Sequence, residues 1–265
     1  MMHRGKMNAI VLAGRREGRI EPLAVLHETT DKCLVPIGGR PLIEHVLETL
    51  ADSSRIGRII VSINDPETIS SLPVAGQLLR DGRLVAIKAR GNLADSVIEA
   101  ADTAGFPAFI TTADNVLLTQ YAISDVERVA LSKRADAAAA FATRSSVLAA
   151  HPDGQRRFYK FADDEYSNCN CYWIANAKAL GAVETFRSGG QFAKNPMRIV
   201  QAFGLWNMVR FRLGFDTLAN AFENVSKRLG LRVLPIVFSD GSLAIDVDNE
   251  RTFRVVIAIL ERRNR

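Results

Sequence analysis

The sequence predicts an α/β fold, in which a mostly parallel β-sheet carries helices on both faces. Short apolar runs rich in β-branched residues alternate along the chain with amphipathic segments of helical spacing. Strands of parallel sheets are buried on both faces, so they are continuous apolar runs. The 265 residues, 48% of them hydrophobic, are enough to bury the core of one large domain. These observations favour a single α/β domain over 1–265.

Each predicted element follows from its own residues. Pro41 stands at a helix start, and the apolar positions after it recur at the spacing of one helix face. Strands are predicted at 10–12, 59–63, 84–87, 108–112, 136–143, 231–238 and, as a short one, 244–248. Further helices are predicted from 95 onward and at 125–134, 197–213 and 252–260. The aromatic segment 156–174 favours a second, β-rich layer over a substrate cleft, with ordinary hairpin packing as the alternative.

Net charge and cysteine content narrow the class of protein. The formal net charge of +5 fits a nucleotide ligand, but it also fits nucleic acid or an anionic membrane surface. No known nucleic-acid-binding module matches the sequence, so no nucleic-acid partner is predicted. The three cysteines suggest neither a disulfide framework nor a zinc ribbon, and the apolar run 9–13 is too short for a signal peptide or a membrane span. We therefore expect a cytoplasmic protein with free thiols, and peripheral membrane contact stays open.

A basic turn that contains glycine follows the first predicted strand. The apolar run breaks at Gly14, where the backbone can turn sharply and approach a ligand closely. The turn can wrap around phosphates, with backbone N–H groups as donors and basic side chains as counter-charges. The nucleotide-binding residues predicted here are Leu12, Ala13, Gly14, Arg15, Arg16, Gly18, Arg19 and Lys32. Because the spacing differs from the P-loop and from the dinucleotide-binding fingerprint, the alternative is a surface turn that happens to be basic.

Two ordered motifs carry a family resemblance. The stretch NAIVLAGRREGR at 8–19 is followed by DKCLVPIGGRPL at 31–42. The pair resembles the nucleoside-triphosphate-transferase superfamily, whose L-A-G-G-x-G-x-R motif is followed by a lysine and then P-(I/V)-x-G-(K/R)-P-L. Within it, the chain is similar to the group that contains molybdenum cofactor guanylyltransferase and the sugar-phosphate and alcohol-phosphate nucleotidylyltransferases. Arg15 replaces the usual second glycine, and Arg16-Glu17-Gly18 replaces the usual glycine-rich tip.

The resemblance implies both a fold and a reaction. The fold is the Rossmann-like one of nucleotide-diphospho-sugar transferases, with a small β-rich layer on the acceptor side. The reaction is Mg²⁺-dependent transfer of a nucleoside monophosphate from a triphosphate to a small phosphorylated acceptor, with release of pyrophosphate. A nucleotide-binding half is expected at 8–135, an acceptor-binding half with the second metal ligand at 136–253, and a C-terminal helix at 254–265. The acceptor itself stays open among a sugar 1-phosphate, an alcohol phosphate such as inositol phosphate, and a cofactor phosphate.

Carboxylates and one lysine are the predicted chemical groups of this reaction. Asp114 follows the apolar run 108–112, at the carboxyl end where α/β sheets bind ligands, and it matches the family's metal-binding aspartate. The segment 244–249 resembles the family's late aspartate motif, whose second aspartate corresponds to Asp248, and Asp246 is expected on the same side of the short strand. Capping of the last helix is the alternative role for this segment, and capping by Asn249 is compatible with metal binding by Asp248. The predicted catalytic residues are Lys32, Arg19 and Asp114.

Two further segments are expected to contact the substrates. Gly91, Asn92 and Ser96 lie in a segment that resembles the family's base- and ribose-binding stretch, with a plain turn and helix cap as the alternative. Lys160, with Asn168 or Asn170, stands where relatives have the N-x-G-(I/V)-(Y/F) strand that contacts the acceptor. The expected glycine is absent there, which predicts an acceptor pocket unlike that of common sugar nucleotidylyltransferases.

The sequence also allows functions other than nucleotidyl transfer. A catalytically degenerate nucleotide-binding or regulatory protein of the same fold is the main alternative, because the Gly-Arg-Arg loop is altered. Retention of both Asp114 and Asp248 argues against it. The predicted helix 197–213 is wide and apolar with basic residues among its aromatics, so it favours burial in the core or in a homodimer, and contact with an anionic membrane is the alternative.

Overall fold

One mixed sheet of eight strands organises the protein. The structure is a computed structural model, and it describes residues 5–15, 21–184 and 216–263. In chain order the strands are β1 (Met7–Leu12), β2 (Pro36–Ile37), β3 (Arg40–Pro41), β4 (Ile56–Ile63), β5 (Leu84–Lys88), β6 (Ala108–Thr112), β7 (Ala137–Thr143), β8 (Tyr159–Lys160), β9 (Glu165–Ile174) and β10 (Val233–Phe238). The main sheet has the order β10-β7-β9-β6-β1-β4-β5, with β8 paired to β9, while β2 and β3 form a separate hairpin.

Most neighbouring strands run parallel, as predicted. β1 is parallel to both β4 and β6, β4 to β5, and β7 to β10. The long strand β9 is the exception, because it runs antiparallel between β6 and β7. The fold class predicted from the apolar runs is therefore confirmed.

Helices cover both faces of the sheet. The helices of the described residues are α1 (Pro22–Leu26), α2 (Leu42–Ala51), α3 (Pro73–Arg80), α4 (Leu93–Ala104), α5 (Gln120–Ser132), α6 (Arg144–Ala150), α7 (Leu180–Glu184), α8 (Leu218–Leu229) and α9 (Glu250–Arg263). Successive residues of β1 alternate between two apolar clusters: Val11 packs on the side of α2 and α5, and Ile10 on the side of α4. Burial on both faces explains why β1 and its parallel neighbours are largely apolar.

The parallel strands end together, and this edge positions the site. Leu12 of β1 lies between Ser62 of β4 and Thr112 of β6 in the register of the sheet. The turn at Gly14 and the segment that carries Asp114 therefore leave the sheet side by side. Ligands of open α/β sheets bind at this carboxyl edge.

Two expectations about local structure are wrong. The aromatic segment does not form a separate layer, because β9 pairs with β6 and β7 inside the main sheet. Residues 244–248 are not a strand: a 3₁₀ turn over Gly241–Ala244 leads into irregular backbone. There the N–H of Val247 donates to the carbonyl of Asp114, and that of Asp248 donates to the carbonyl of Asp246, so no strand ladder forms.

The predicted helix 197–213 lies outside the described residues. Among the helices of 5–15, 21–184 and 216–263, none has the length and apolarity needed to cross a membrane.

Candidate active site

Three aspartates converge at the carboxyl edge of the sheet. Asp114 follows β6, whereas Asp246 and Asp248 come from the irregular segment before α9. One carboxylate oxygen from each of the three lies within 4.8 Å of the others. The hydrogen bond of 3.2 Å from the Val247 N–H to the Asp114 carbonyl joins the two segments. The structure thus brings together the three residues expected to bind the metal ion.

Lys32 bridges two of these carboxylates. It begins a 3₁₀ turn over Lys32–Leu34, and its Nζ lies 2.8 Å from Asp248 Oδ1 and also contacts Asp114 Oδ2. Burial by itself lowers the pKa of the ammonium group, but the charges of Asp114 and Asp248 outweigh burial and raise the pKa above its ordinary value. Lys32 therefore stays cationic within the cluster.

The carboxylates offer what a hard divalent cation requires. Mg²⁺ binds oxygen ligands, and carboxylates supply both the oxygens and the charge. The second oxygen of Asp114, Oδ1, is buried and has no hydrogen-bond partner among the described residues. Burial, together with the charges of Asp248 and Asp114, raises the pKa of Asp246 to about 8. A buried unpartnered oxygen and crowded carboxylates are both stabilised by a bound cation, so the residues present fit Mg²⁺.

The partners of Arg15 lie outside the cluster of three aspartates. Its guanidinium donates to the carbonyl of Thr30 at 2.9 Å and forms an ion pair with Asp31 at 3.4 Å, while its backbone N–H donates to Asn64 Oδ1 at 2.6 Å. Next to it, a Cβ added to Gly14 would lie 2.9 Å from the Cβ of Ala89, so a glycine is needed where β1 passes the end of β5. The start of the turn, at Gly14 and Arg15, is therefore held by close packing against Ala89 and by hydrogen bonds to Thr30 and Asn64.

The structure describes the turn after β1 as far as Arg15. The backbone of the nearby strand end is held in the sheet, because the Ala13 N–H donates to the carbonyl of Ser62 and the Leu12 carbonyl accepts from Ala113. The predicted residues Arg16, Gly18 and Arg19 lie outside the described residues.

The segment predicted to contact base and ribose forms the start of α4. Asn92 caps the helix, since its Oδ1 accepts a hydrogen bond of 2.9 Å from the Asp95 N–H. The Ser96 hydroxyl is buried; it accepts from the Arg90 N–H at 2.9 Å and donates to the Asn92 carbonyl at 3.0 Å. Gly91 is exposed, and a Cβ there would meet nothing within 4 Å. The side chains of Asn92 and Ser96 thus shape this loop, and Gly91 leaves its backbone open.

The residues predicted to bind the acceptor divide into two groups. Lys160 on β8 is exposed and lies 3.6 Å from Glu165. Asn168 and Asn170 are half-buried on β9, where Asn168 Nδ2 donates to the Tyr172 hydroxyl and Asn170 Nδ2 donates to Asp246 Oδ2 at 3.1 Å. Of these three residues, Asn170 contacts the carboxylate cluster directly, and Asn168 is linked to it through Asn170.

Several residues of the site escaped sequence reasoning. Gln155 Nε2 lies 3.3 Å from Asp246 Oδ1. Asn115 was not missed, because its place directly after Asp114 predicts that it assists this residue; it is buried and donates from Nδ2 to Thr111 and to the carbonyl of Cys169. No motif marks Gln155, because its role depends on how its loop packs. Asn64 directly follows the predicted strand 59–63, and Asp31 begins the motif at 31–42, so their places in the sequence were the available clue.

Comparisons with known proteins give the site a family. The model of the MobA-like NTP transferase domain matches residues 8–189, more than half of the chain. A comparison with curated proteins found no significant match.

Solved structures share the fold. A hypothetical transferase from Thermus thermophilus superposes with a TM-score of 0.75 at 22% identity, over 94% of this chain and 100% of that one. CMP:2-keto-3-deoxy-manno-octonic acid synthetase, in complex with CTP, gives 0.58 at 12% identity, over 98% and 100%. The 4-diphosphocytidyl-2C-methyl-D-erythritol synthase from Anaerococcus prevotii gives 0.57 at 13% identity, over 97% and 96%. From the family match, the chain belongs to the MobA-like NTP transferases and is a nucleotidyltransferase.

Proposed function

We propose that this nucleotidyltransferase uses Mg²⁺ to transfer a nucleoside monophosphate from a nucleoside triphosphate to a small phosphorylated acceptor. An acceptor phosphate oxygen attacks the α-phosphorus, the bond from that phosphorus to the oxygen bridging to the β-phosphate breaks, and pyrophosphate leaves. The observation that carries the proposal is the cluster of Asp114, Asp246 and Asp248 around Lys32, at the sheet edge beside the Gly14 turn.

Each charged group has a role that follows from its position. Asp114, Asp248 and Asp246 would hold Mg²⁺, which neutralises phosphate charge and orients the triphosphate. Lys32 supplies a fixed positive charge beside the same carboxylates, where negative charge spreads over the oxygens of the transferring group. The protein forms no covalent bond to the nucleotide in this scheme, so positioning and charge neutralisation account for catalysis.

The nucleotide is assigned to the face between the Gly14 turn and α4. Leu12, Ala13, Gly14 and Arg15 lead from β1 to the predicted phosphate-binding residues Arg16, Gly18 and Arg19. The exposed backbone at Gly91, on the loop shaped by Asn92 and Ser96, faces open space and suits the base and ribose.

The acceptor is assigned to the side of β8 and β9. Lys160 offers an exposed ammonium to an acceptor phosphate, and Asn168 and Asn170 lie on the strand that reaches the carboxylate cluster through Asp246. Acceptors with a phosphate and further hydroxyl groups fit this polar strand best.

A substrate screen tests the proposal. Purified protein is incubated with each nucleoside triphosphate and a panel of sugar 1-phosphates, alcohol phosphates and pterin phosphates, and pyrophosphate release is followed with Mg²⁺ or with EDTA. We expect release that requires one triphosphate, one acceptor class and Mg²⁺ together. Tight binding of a triphosphate without turnover on any acceptor would favour the degenerate nucleotide-binding alternative, and release unaffected by EDTA would overturn the metal assignment.

A further inference from the structure

The carboxylate of Asp246 is held by two amide side chains, one on each oxygen. Asn170 Nδ2 lies 3.1 Å from Oδ2, and Gln155 Nε2 lies 3.3 Å from Oδ1. Gln155 Nε2 also lies 3.1 Å from the carbonyl of Ala244, two residues before Asp246. In the ionised form that binds a cation, the Asp246 carboxylate has about four lone-pair sites, so one amide on each oxygen leaves sites on both oxygens for a further ligand. The two amides therefore restrict rotation of the Asp246 carboxylate without occupying all of its lone pairs.

A β-bulge places Asn170. On β7, Ala139 pairs with Tyr172 and Phe141 pairs with Asn168, so β9 has two more residues than β7 between these pairs. Asn170 lies inside this irregularity with φ of 50°, in the left-handed region that asparagine and glycine tolerate. Bulges re-aim side chains, and this one directs the Asn170 amide to Asp246. The irregular backbone at 169–171 thus brings the Asn170 amide to the carboxylate cluster.

Neighbours fix which end of the Asn170 amide faces Asp246. The Tyr172 hydroxyl lies 3.4 Å from Asn170 Oδ1, and Asn168 Oδ1 accepts from the Asn170 backbone N–H at 2.9 Å. Asn168 Nδ2 in turn contacts the Tyr172 hydroxyl. With Oδ1 occupied by Tyr172, the NH₂ group points to the carboxylate.

Gln155 is carried to Asp246 by a fastened loop. The Arg251 guanidinium, on α9, donates to the carbonyl of Gly154 at 3.2 Å and to that of Asp153. A Cβ added to Gly154 would lie 2.6 Å from Ile245 Cδ1, so the loop packs directly on the segment that carries Asp246. Gln155 and Asn170, which together we call the clamp on Asp246, are thus both held in place by the surrounding fold.

We propose that Asn170 and Gln155 are positioning residues, which orient Asp246 toward Asp114 and Asp248 for divalent-cation binding. The proposal rests on the metal site of the proposed function. Ligating carboxylates depend on hydrogen bonds from outer residues for their orientation, and loss of one such partner typically weakens metal affinity by about 10- to 100-fold.

Mn²⁺ binding to the full chain, followed by electron paramagnetic resonance of the free ion without nucleotide, tests the clamp. We expect Gln155→Ala and Asn170→Gly each to bind Mn²⁺ about tenfold more weakly than the wild type. Glycine adopts the left-handed backbone at 170 freely, so Asn170→Gly removes the amide without straining the backbone, and thermal unfolding checks that the variant is folded. Gln77→Ala, at an exposed position of α3, is the matched control and should bind like the wild type.

The outcomes separate the clamp from the site itself. If Asp246→Ala weakens Mn²⁺ binding but Gln155→Ala and Asn170→Gly bind as the wild type does, the clamp is wrong and the metal site stands. If the wild type binds no Mn²⁺, the metal site of the proposed function fails and the clamp fails with it. Should Gln155→Ala unfold, Asn170→Gly decides alone, because its backbone is not strained by the change.

Discussion

Lys32 is the residue whose surroundings define its role most closely. Its ammonium lies between Asp114 and Asp248, and burial is outweighed by these two carboxylates, so its pKa is raised. A permanent charge at that point balances the carboxylates and is available to the phosphates as charge develops in the transition state.

Replacement of Lys32 should lower turnover. We expect Lys32→Ala to lose about 2 to 4 kcal/mol of transition-state stabilisation, equivalent to about 30- to 1000-fold in kcat/KM, as is typical of one electrostatic group. Steady-state kinetics with Lys178→Ala, an exposed lysine, as the control measure this loss. A raised KM with an unaltered kcat would make Lys32 a ground-state binding residue only.

Residue by residue, the chemical groups were easier to predict than their supports. Asp114, Asp248 and Lys32 stand in motifs, and the match of Asp114 to its motif favoured metal binding over the alternative of an exposed aspartate in a turn after a strand. The expectation for Asn92 and Ser96 covered both base contact and helix capping, and the structure shows the cap at Asn92. Gln155 could not be predicted, because its partner lies 91 residues away and is reached only through loop packing.

At the scale of elements, a side chain of α2 completes the start of α3. Glu44 is buried, and its Oε1 accepts hydrogen bonds of 3.0 Å from the N–H groups of both Val74 and Ala75. These are early N–H groups of α3, which lack partners within the helix, and a negative charge there is also favourable to the helix dipole. One carboxylate therefore joins two helices.

Loss of this carboxylate should destabilise the protein measurably. We expect Glu44→Ala to lower the free energy of unfolding by about 2 kcal/mol, because the buried N–H of Ala75 and the half-buried N–H of Val74 lose a charged acceptor. Glu48→Ala, which removes an exposed carboxylate of the same helix, should change it by less than about 0.5 kcal/mol. Urea unfolding measures both, and equal effects of the two substitutions would contradict the capping role.

Elements that consist of an apolar run were predicted well, whereas segments whose conformation depends on contacts with other parts of the chain were not. β6 was expected at 108–112 and lies there, since its residues are apolar or β-branched. The expected strand at 244–248 alternates in side-chain type, but pairing needs a neighbouring backbone, and the Val247 N–H goes to the Asp114 carbonyl instead. The helix α3 was overlooked; it contains Gly76, a poor helix former that is required because a Cβ there would lie 2.7 Å from the Ser70 carbonyl oxygen.

At the scale of the whole molecule, the core buries all three thiols. Cys33, Cys169 and Cys171 are all free and buried. Burial raises the pKa of Cys33 and that of Cys171 to about 12, and also raises that of Cys169. The thiolate is the reactive form, so each thiol is protected by protonation as well as by packing.

Thiol labelling should therefore depend on unfolding. In the native protein at mildly alkaline pH, where a free thiol of ordinary pKa is largely reactive, we expect a disulfide reagent to label the three cysteines far more slowly than in guanidinium chloride. All three should react at once after denaturation. Rapid labelling of the native protein would show that the sheet and its helices open more readily than this packing allows.

The molecule as a whole places its chemistry where strands from distant parts of the sequence end together. The mostly parallel sheet was predicted from the alternation of apolar runs and amphipathic segments, but the order of the strands was not. The insertion of β9 between β6 and β7 brings the Asn170 side chain to Asp246. Sequence patterns predict layers, whereas strand order decides which side chains meet.

The central claim is that the three aspartates bind the Mg²⁺ on which transfer depends, and its most direct test is the Mg²⁺ dependence of pyrophosphate release. Asp114→Ala and Asp248→Ala are compared with the wild type and with Asp102→Ala, an exposed aspartate of α4, using the substrates found by the screen. A metal ion contributes several kcal/mol to such a transition state, so we expect both site variants to lose at least about a hundredfold in rate while Asp102→Ala is unaffected. Unchanged turnover of Asp114→Ala at saturating Mg²⁺ would contradict the account.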